Sequence, residues 1–145
     1  MYLCEKLPSR VDIILPFISR VIGQLQKECL LNEEDIFCIK LALEESLINA
    51  IKHGNKFRLE FTADVMISFQ DNSLTMKIKD YGRGFDVNAI PDPTTDERLM
   101  KTSGRGVFLI KKLMDEVSFH DGGREIWMVK RFSRFPQQCQ SRKNI

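Results

Sequence analysis

A chain of 145 residues is long enough to bury one ordinary hydrophobic core without disulfides or metal, and short enough that a single domain is expected. Its 22 Lys and Arg nearly cancel 20 Asp and Glu and are spread along the chain, which argues against nucleic acid or an acidic membrane as the main partner. Four scattered cysteines without a C-x-x-C pair suit reduced thiols, two histidines argue against zinc, and neither a signal-peptide pattern nor an apolar run near ~18 residues is present, so a cytoplasmic protein is expected.

In chain order, residues 1–7 suit a short edge strand. Ser9 suits the N-cap of a helix carrying Val11, Ile14, Leu15, Ile18, Val21, Ile22 and Leu25, which Pro16 either kinks or starts. Asn32 followed by three acids opens a second helix, about 33–53. Its core arc is Ile36, Ile39, Leu43, Leu47 and Ala50, and Lys40, Glu44 and Ile51 fall on a solvent arc. Glu45, Asn49 and His53 follow one another at four-residue spacing and form a third stripe, continued one turn earlier by the small residues Cys38 and Ala42. Such a stripe is either a solvated face or a polar groove, and taken alone the first reading is favoured.

"FTADVMISFQ" and "SLTMKIKD" alternate partially, Val65, Ile67 and Phe69 against Leu74, Met76 and Ile78, and read as a hairpin about Asp71-Asn72. The second strand runs into "DYGRGFD", where Gly82 and Gly84 follow Asp80. This is either a plain turn or a place where backbone approaches a flat ligand and a carboxylate accepts from an exocyclic amine. Residues 86–103, with Pro91, Pro93, Thr94 and Thr95, lack periodicity, as a functional lid or a disordered segment would. In "SGRGVFLIKKLMDEV", Gly104 and Gly106 stand at a helix start, where free N–H groups attract anions, and Arg105 adds a forked cation suited to phosphate; a simple loop-to-helix junction is the alternative. A last hairpin flanks "HDGGRE", with Val117 and Phe119 before it and Ile126, Trp127 and Val129 after it. The expected fold is α+β, a two-layer α/β sandwich with a mostly antiparallel sheet and helices on one face. The domain spans 1–133, and 134–145 form a polar, frayed tail.

Neither glycine box has the Walker spacing or the third glycine of the dinucleotide fingerprint, and protein-kinase signatures are missing. Together and in this order, however, E-x-x-x-N-A-x-x-H-G, D-x-G-x-G-F and G-R-G-V-x-L-I resemble the N box and two glycine boxes of the GHKL ATPase superfamily. The wording "ALEES…NAIKHGNK" and the ending "FLIKKLMDEV" are similar to the anti-sigma-factor serine/threonine kinases of partner-switching systems, over about residues 9–132.

The resemblance implies a Bergerat ATP-binding fold with a mixed, mostly antiparallel sheet, binding ATP and Mg²⁺. It implies Asn49 as magnesium ligand, Glu45 as general base, Asp80 as acceptor for the adenine amine, and Gly82, Gly84 and Phe85 beside the base. Gly104, Arg105 and Gly106 would hold the phosphates, with Arg105 also serving catalysis, Ser103 and Val107 would belong to the same ATP-binding set, and His53 would orient the end of the N box or cap the helix. Residues 86–103 would be the ATP lid. The family often carries a threonine after the glycine turn of the late hairpin, whereas here Arg124 and Glu125 follow it, which puts a water-mediated contact to the base in doubt.

The implied function is phosphorylation of a STAS-domain anti-anti-sigma protein together with sequestration of a sigma factor. A nucleotide-gated binding module without phosphotransfer and a detached histidine-kinase ATPase domain are the alternatives, the latter opposed by the lack of a helix presenting a phospho-acceptor histidine. Homodimerisation is suggested by the family alone.

Overall fold

A computed structural model describes residues 1–84 and 102–132, the first three of the second stretch by their backbone alone. Phe85, most of the expected lid and the tail from 134 lie outside the described residues.

The alternating apolar residues of 62–79 determine the centre of the fold. Strands β2 (Thr62–Gln70) and β3 (Ser73–Lys79) pair with Val65 opposite Ile78, Ile67 opposite Met76 and Phe69 opposite Leu74, all of them buried. The turn between them has left-handed Asp71 and Asn72, at φ 54° and 59°, a two-residue turn whose twist matches that of the strands it joins. β1 (Tyr2–Pro8) pairs with the free edge of β2, β5 (Glu125–Arg131) with β3, and β4 (Glu116–His120) with β5. The sheet order is β1-β2-β3-β5-β4. Every described pairing is antiparallel, so the mixed character that the resemblance implies is not seen among the described strands.

Helices α1 (Ile14–Glu28), α2 (Glu33–Ile48) and α3 (Thr102–Leu113) share one core with the sheet. α1 contributes Phe17, Ile18, Val21, Ile22 and Leu25, α2 Ile39, Leu43 and Leu47, and α3 Ile110 and the nearby Met114, packed with Ile67, Leu74, Met76 and Met128. Each large apolar side chain fully buried here stabilises the fold by about 1.5–3 kcal/mol. None of the described helices is long and apolar enough to cross a membrane.

The ends of the helices depart in detail from what the sequence suggests. Pro16 is the third residue of α1, inside the first turn where an N–H has no intrahelical partner, so it marks the start of the helix and does not kink it. Ser9 caps nothing, because its hydroxyl donates to the Phe61 carbonyl at 2.6 Å instead. α2 opens as expected with a reciprocal cap: Asn32 Oδ1 accepts from the Asp35 N–H at 2.8 Å, and the Asp35 carboxylate accepts from the Asn32 N–H at 3.1 Å. A cap of this kind contributes about 1 kcal/mol.

At its other end α2 widens into a π-type turn over Asn49–Gly54, in which the Asn55 N–H reaches back to the Ala50 carbonyl at 2.7 Å. Each residue of a wider turn advances by a smaller angle, which carries Ile51 from the expected solvent arc into the core, where it is fully buried. In the last hairpin the inward residues of β5 are Ile126 and Met128, while Trp127 and Val129 lie on the other side of the strand and are half-buried.

Candidate active site

The Glu45 and Asn49 part of the second helix's stripe faces α3. Glu45, Asn49 and His53 are all half-buried, and a Cβ placed on Gly106 of α3 would lie 2.7 Å from Glu45 Oε2 and 3.4 Å from Asn49 Nδ2. The solvated-face reading is therefore excluded. Close approach comes from the bare backbone of Gly106 across the groove. It does not come from the expected small floor, since Ala42 is buried in the core and Cys38 half-buried.

Burial, reinforced by the neighbouring Glu44, pushes the Glu45 carboxyl above its ordinary pKa, while Arg105 pulls it the other way. A carboxylate held in this state is a better proton acceptor than a solvated one.

α3 begins at Thr102, earlier than the glycines suggest, so Gly104 and Arg105 fall within the first four residues, whose N–H groups have no intrahelical partner. Gly106 lies one step beyond them and acts through its missing side chain. Ser103 and Gly104 are described by backbone only, Arg105 is exposed, and Val107 is buried.

A second cluster forms where the widened end of α2 meets the first glycine box. Asp80, 8% exposed, follows β3; its Oδ1 accepts from the Gly82 N–H at 2.9 Å, and its own N–H donates to the Arg124 carbonyl at 2.9 Å. Burial raises its pKa most, Asp121 raises it further, and the Gly82 N–H and the Arg124 charge oppose the rise.

Gly54 lies directly on this carboxyl: any Cβ there would collide with Asp80 Cγ. Likewise, a Cβ on Gly82 would collide with the Gly54 carbonyl, and one on Gly84, at φ 78°, with the carbonyl of Gly122. Next to Gly54, buried Asn55 accepts from the Tyr81 N–H at 2.8 Å and donates to Ser9 Oγ at 3.1 Å and to the Thr62 carbonyl at 3.0 Å. One carboxamide thus joins the start of α1, the start of β2 and the first glycine box.

The sequence places Gly54 at the end of the N box without a role of its own, and gives Asn55 none. The signal was there in "HGN" directly after the stripe, but its meaning depends on the widened turn. His53 reaches the same region half-buried, its Nε2 buried without a hydrogen-bond partner among the described residues, and burial with Lys52 and Lys56 lowers its pKa. That favours a neutral imidazole and gives no support to capping through Nε2.

The structure thus brings Glu45, Asn49 and Gly106 into one cluster and Asp80, Gly82 and Gly84 into another, with the π-type turn between Asn49 and Gly54 connecting them. A buried acceptor at one end, a carboxamide and a carboxylate along the middle, and a helix N-terminus with an arginine at the other suit a ligand with a hydrogen-bonding ring and an anionic chain.

The pattern of the histidine kinase-like ATPase domain matches residues 7–130, a stretch that holds every residue of both clusters. The chain belongs to this family. Its relatives include the serine-protein kinase RsbW of Staphylococcus epidermidis, 32% identical over 137 residues, which is 89% of this chain and 86% of that protein. They also include the proteins of the same name from Listeria monocytogenes serovar 1/2a and Listeria innocua serovar 6a, 30% and 29% identical over 104 residues. The alignment to each Listeria protein takes in 67% of this chain and 66% of the relative. As a histidine kinase-like ATPase domain, the chain has the expected α+β architecture, with the N-box stripe facing inward under α3.

Proposed function

We propose that this chain is an ATP-dependent serine/threonine protein kinase of the anti-sigma type, one that phosphorylates a STAS-domain antagonist and sequesters a sigma factor. The observation that carries the reading is the space at Gly106, where a Cβ would lie 2.7 Å from Glu45 Oε2 and 3.4 Å from Asn49 Nδ2, so that the start of α3 faces a carboxylate and a carboxamide. The names of the relatives support a protein kinase acting on serine.

In this reading the Asp80 carboxylate receives the adenine amine, and the bare Gly82 and Gly84 let the base lie against backbone. The unpartnered N–H groups at the start of α3 and the Arg105 guanidinium hold the phosphates. Phe85, Ser103 and the expected lid segment 86–103 are assigned to the same site on the resemblance alone.

The donor set fits magnesium: the Asn49 carboxamide offers the hard oxygen that the ion prefers, and among the described residues no three His, Cys, Asp or Glu side chains group as a competing metal site. Bound magnesium would neutralise charge on the phosphates. Glu45 takes the proton from the incoming hydroxyl at its carboxylate, and its raised pKa suits that task. The remaining contribution is positioning and exclusion of water. The kinase domain spans 1–133, works in the cytoplasm and pairs with a second copy.

The test is a comparison of Glu45→Ala with the unaltered protein, reading ATP affinity by calorimetry and phosphate transfer to the cell's own STAS-domain proteins with labelled ATP. Retained binding with transfer abolished is expected. Equal loss of both would remove Glu45 as the base, and strong binding without any transfer in the unaltered protein would point to a nucleotide-gated binding module.

A further inference from the structure

We propose that Arg124 is a positioning residue of the nucleotide site: its guanidinium holds the Gly82 carbonyl, and with it the loop carrying Asp80, in the geometry that receives the base. This rests on reading the cleft as a nucleotide site.

Arg124 meets every defining member of the D-x-G-x-G box. Its carbonyl accepts from the Asp80 N–H at 2.9 Å, its Nε donates to the Gly82 carbonyl at 2.8 Å, and its Cγ stands 3.4 Å from the position a Cβ on Gly84 would take. Gly82 is thereby fixed from both sides, since its N–H donates to Asp80 Oδ1 at 2.9 Å.

The main-chain bond to Asp80 would form with any residue at position 124. The bond to Gly82 requires a long side chain with a donor at its bend, and a threonine is too short to make it. Arg124 is itself held in place: Nη1 donates to the Asp121 carbonyl at 2.9 Å and stands 3.7 Å from the Asp121 carboxylate, and the main-chain N–H closes the turn on the Asp121 carbonyl at 3.2 Å. That turn is left-handed at three consecutive residues, Asp121, Gly122 and Gly123, at φ 52°, 63° and 86°. It presents the Gly122 carbonyl to Gly84.

The charges about Asp80 make the arginine more than a spacer. Arg124 is the cation acting on Asp80, Asp121 is the opposing anion, and Lys79 pairs with Asp121 at 3.6 Å. Removing the guanidinium leaves Asp80 with an anionic neighbour and with Gly82 released on one side. The carboxyl should then hold its proton to higher pH and accept less well from a base.

The experiment combines calorimetric titration of ATP with magnesium and ¹³C NMR titration of the Asp80 carboxyl in the ligand-free protein, for the unaltered chain, Arg124→Ala and Arg124→Lys. In Arg124→Ala, affinity should fall about tenfold or more, the scale of a lost hydrogen bond from a charged donor. The Asp80 midpoint should rise, and Arg124→Lys should restore part of both.

Arg124→Ala that binds ATP within about twofold of the unaltered protein, with Asp80 titrating unchanged, would overturn the proposal while leaving the nucleotide site standing. If the unaltered, folded protein binds no ATP, the nucleotide reading itself falls and the proposal with it. Should Arg124→Ala fail to fold, Arg124→Met carries the same two readouts with the stem kept and both the charge and the Nε donor removed: weaker binding with a raised midpoint supports the proposal, and no change in either overturns it.

Discussion

The two glycine boxes use glycine for the same purpose, close approach, but against different neighbours. Gly82 and Gly84 meet main-chain carbonyls, those of Gly54 and Gly122, whereas Gly106 meets the ends of two side chains, Glu45 and Asn49. Backbone against backbone leaves no atom free to give way, so the end of the cleft that carries Asp80 is part of the scaffold. Backbone against side-chain tips leaves the scaffold intact when crowded and displaces only the tips. The end proposed to bind the base should thus fail as a fold, and the end proposed to carry out transfer should fail as chemistry.

The sharpest way to break this contrast is a matched pair of alanines. Gly82→Ala forces a Cβ into the Gly54 carbonyl and should cost about 3 kcal/mol or more, read as a large drop in denaturant midpoint. Gly84→Ala should behave similarly, since it adds a left-handed penalty of about 1–2 kcal/mol to its collision. Gly106→Ala should remain within about 1 kcal/mol of the unaltered protein, because a gain in helix propensity of about that size offsets the crowding. Its phosphate transfer should fall about 100-fold, the lower range for a misplaced general base. Equal stabilities for Gly82→Ala and Gly106→Ala would erase the distinction.

These contrasts also explain how far the sequence could be read. The hairpin of β2 and β3 was legible to the level of facing residues, because alternation and a two-residue turn are local signals that tertiary packing here only reinforces. The stripe of Glu45, Asn49 and His53 was legible as spacing. Its environment was not: a helix pattern does not reveal what lies opposite, and Gly106 is more than fifty residues away in the chain. The π-type turn was hidden as well, since the contacts of Ile51, Gly54 and Asn55 that accompany it are made with elements distant in the chain. Arg124 read as a departure from a family pattern, and its reach to Gly82 emerges only when the late hairpin lies beside β3.

Two titrations sharpen the comparison further, in order of decreasing effect. Asp80 has a folded pKa above its ordinary value, so its protonation begins while pH is still above the usual carboxylate range. ATP affinity should therefore weaken as pH falls through that raised window and recover above it, measured by calorimetry from neutral pH downward. For Glu45 the stability consequence has a definite sign. A carboxyl with a raised folded pKa contributes stability below its unfolded pKa, and that contribution is lost as pH rises through the folded value. Glu45→Gln should accordingly raise Tm at pH 8 and lose that advantage near pH 4, by differential scanning fluorimetry.

The most direct test of the cleft as a nucleotide site is calorimetric titration of ATP with magnesium into the unaltered protein and into Asp80→Asn. Saturable binding that Asp80→Asn weakens by at least about tenfold is the predicted result, because a carboxamide whose oxygen keeps the bond from Gly82 puts an NH₂ donor where the carboxylate offers its second acceptor oxygen to the base. Absence of binding in the folded, unaltered chain, or equal affinity in the two proteins, would contradict the assignment of Asp80 and of the cleft built around it.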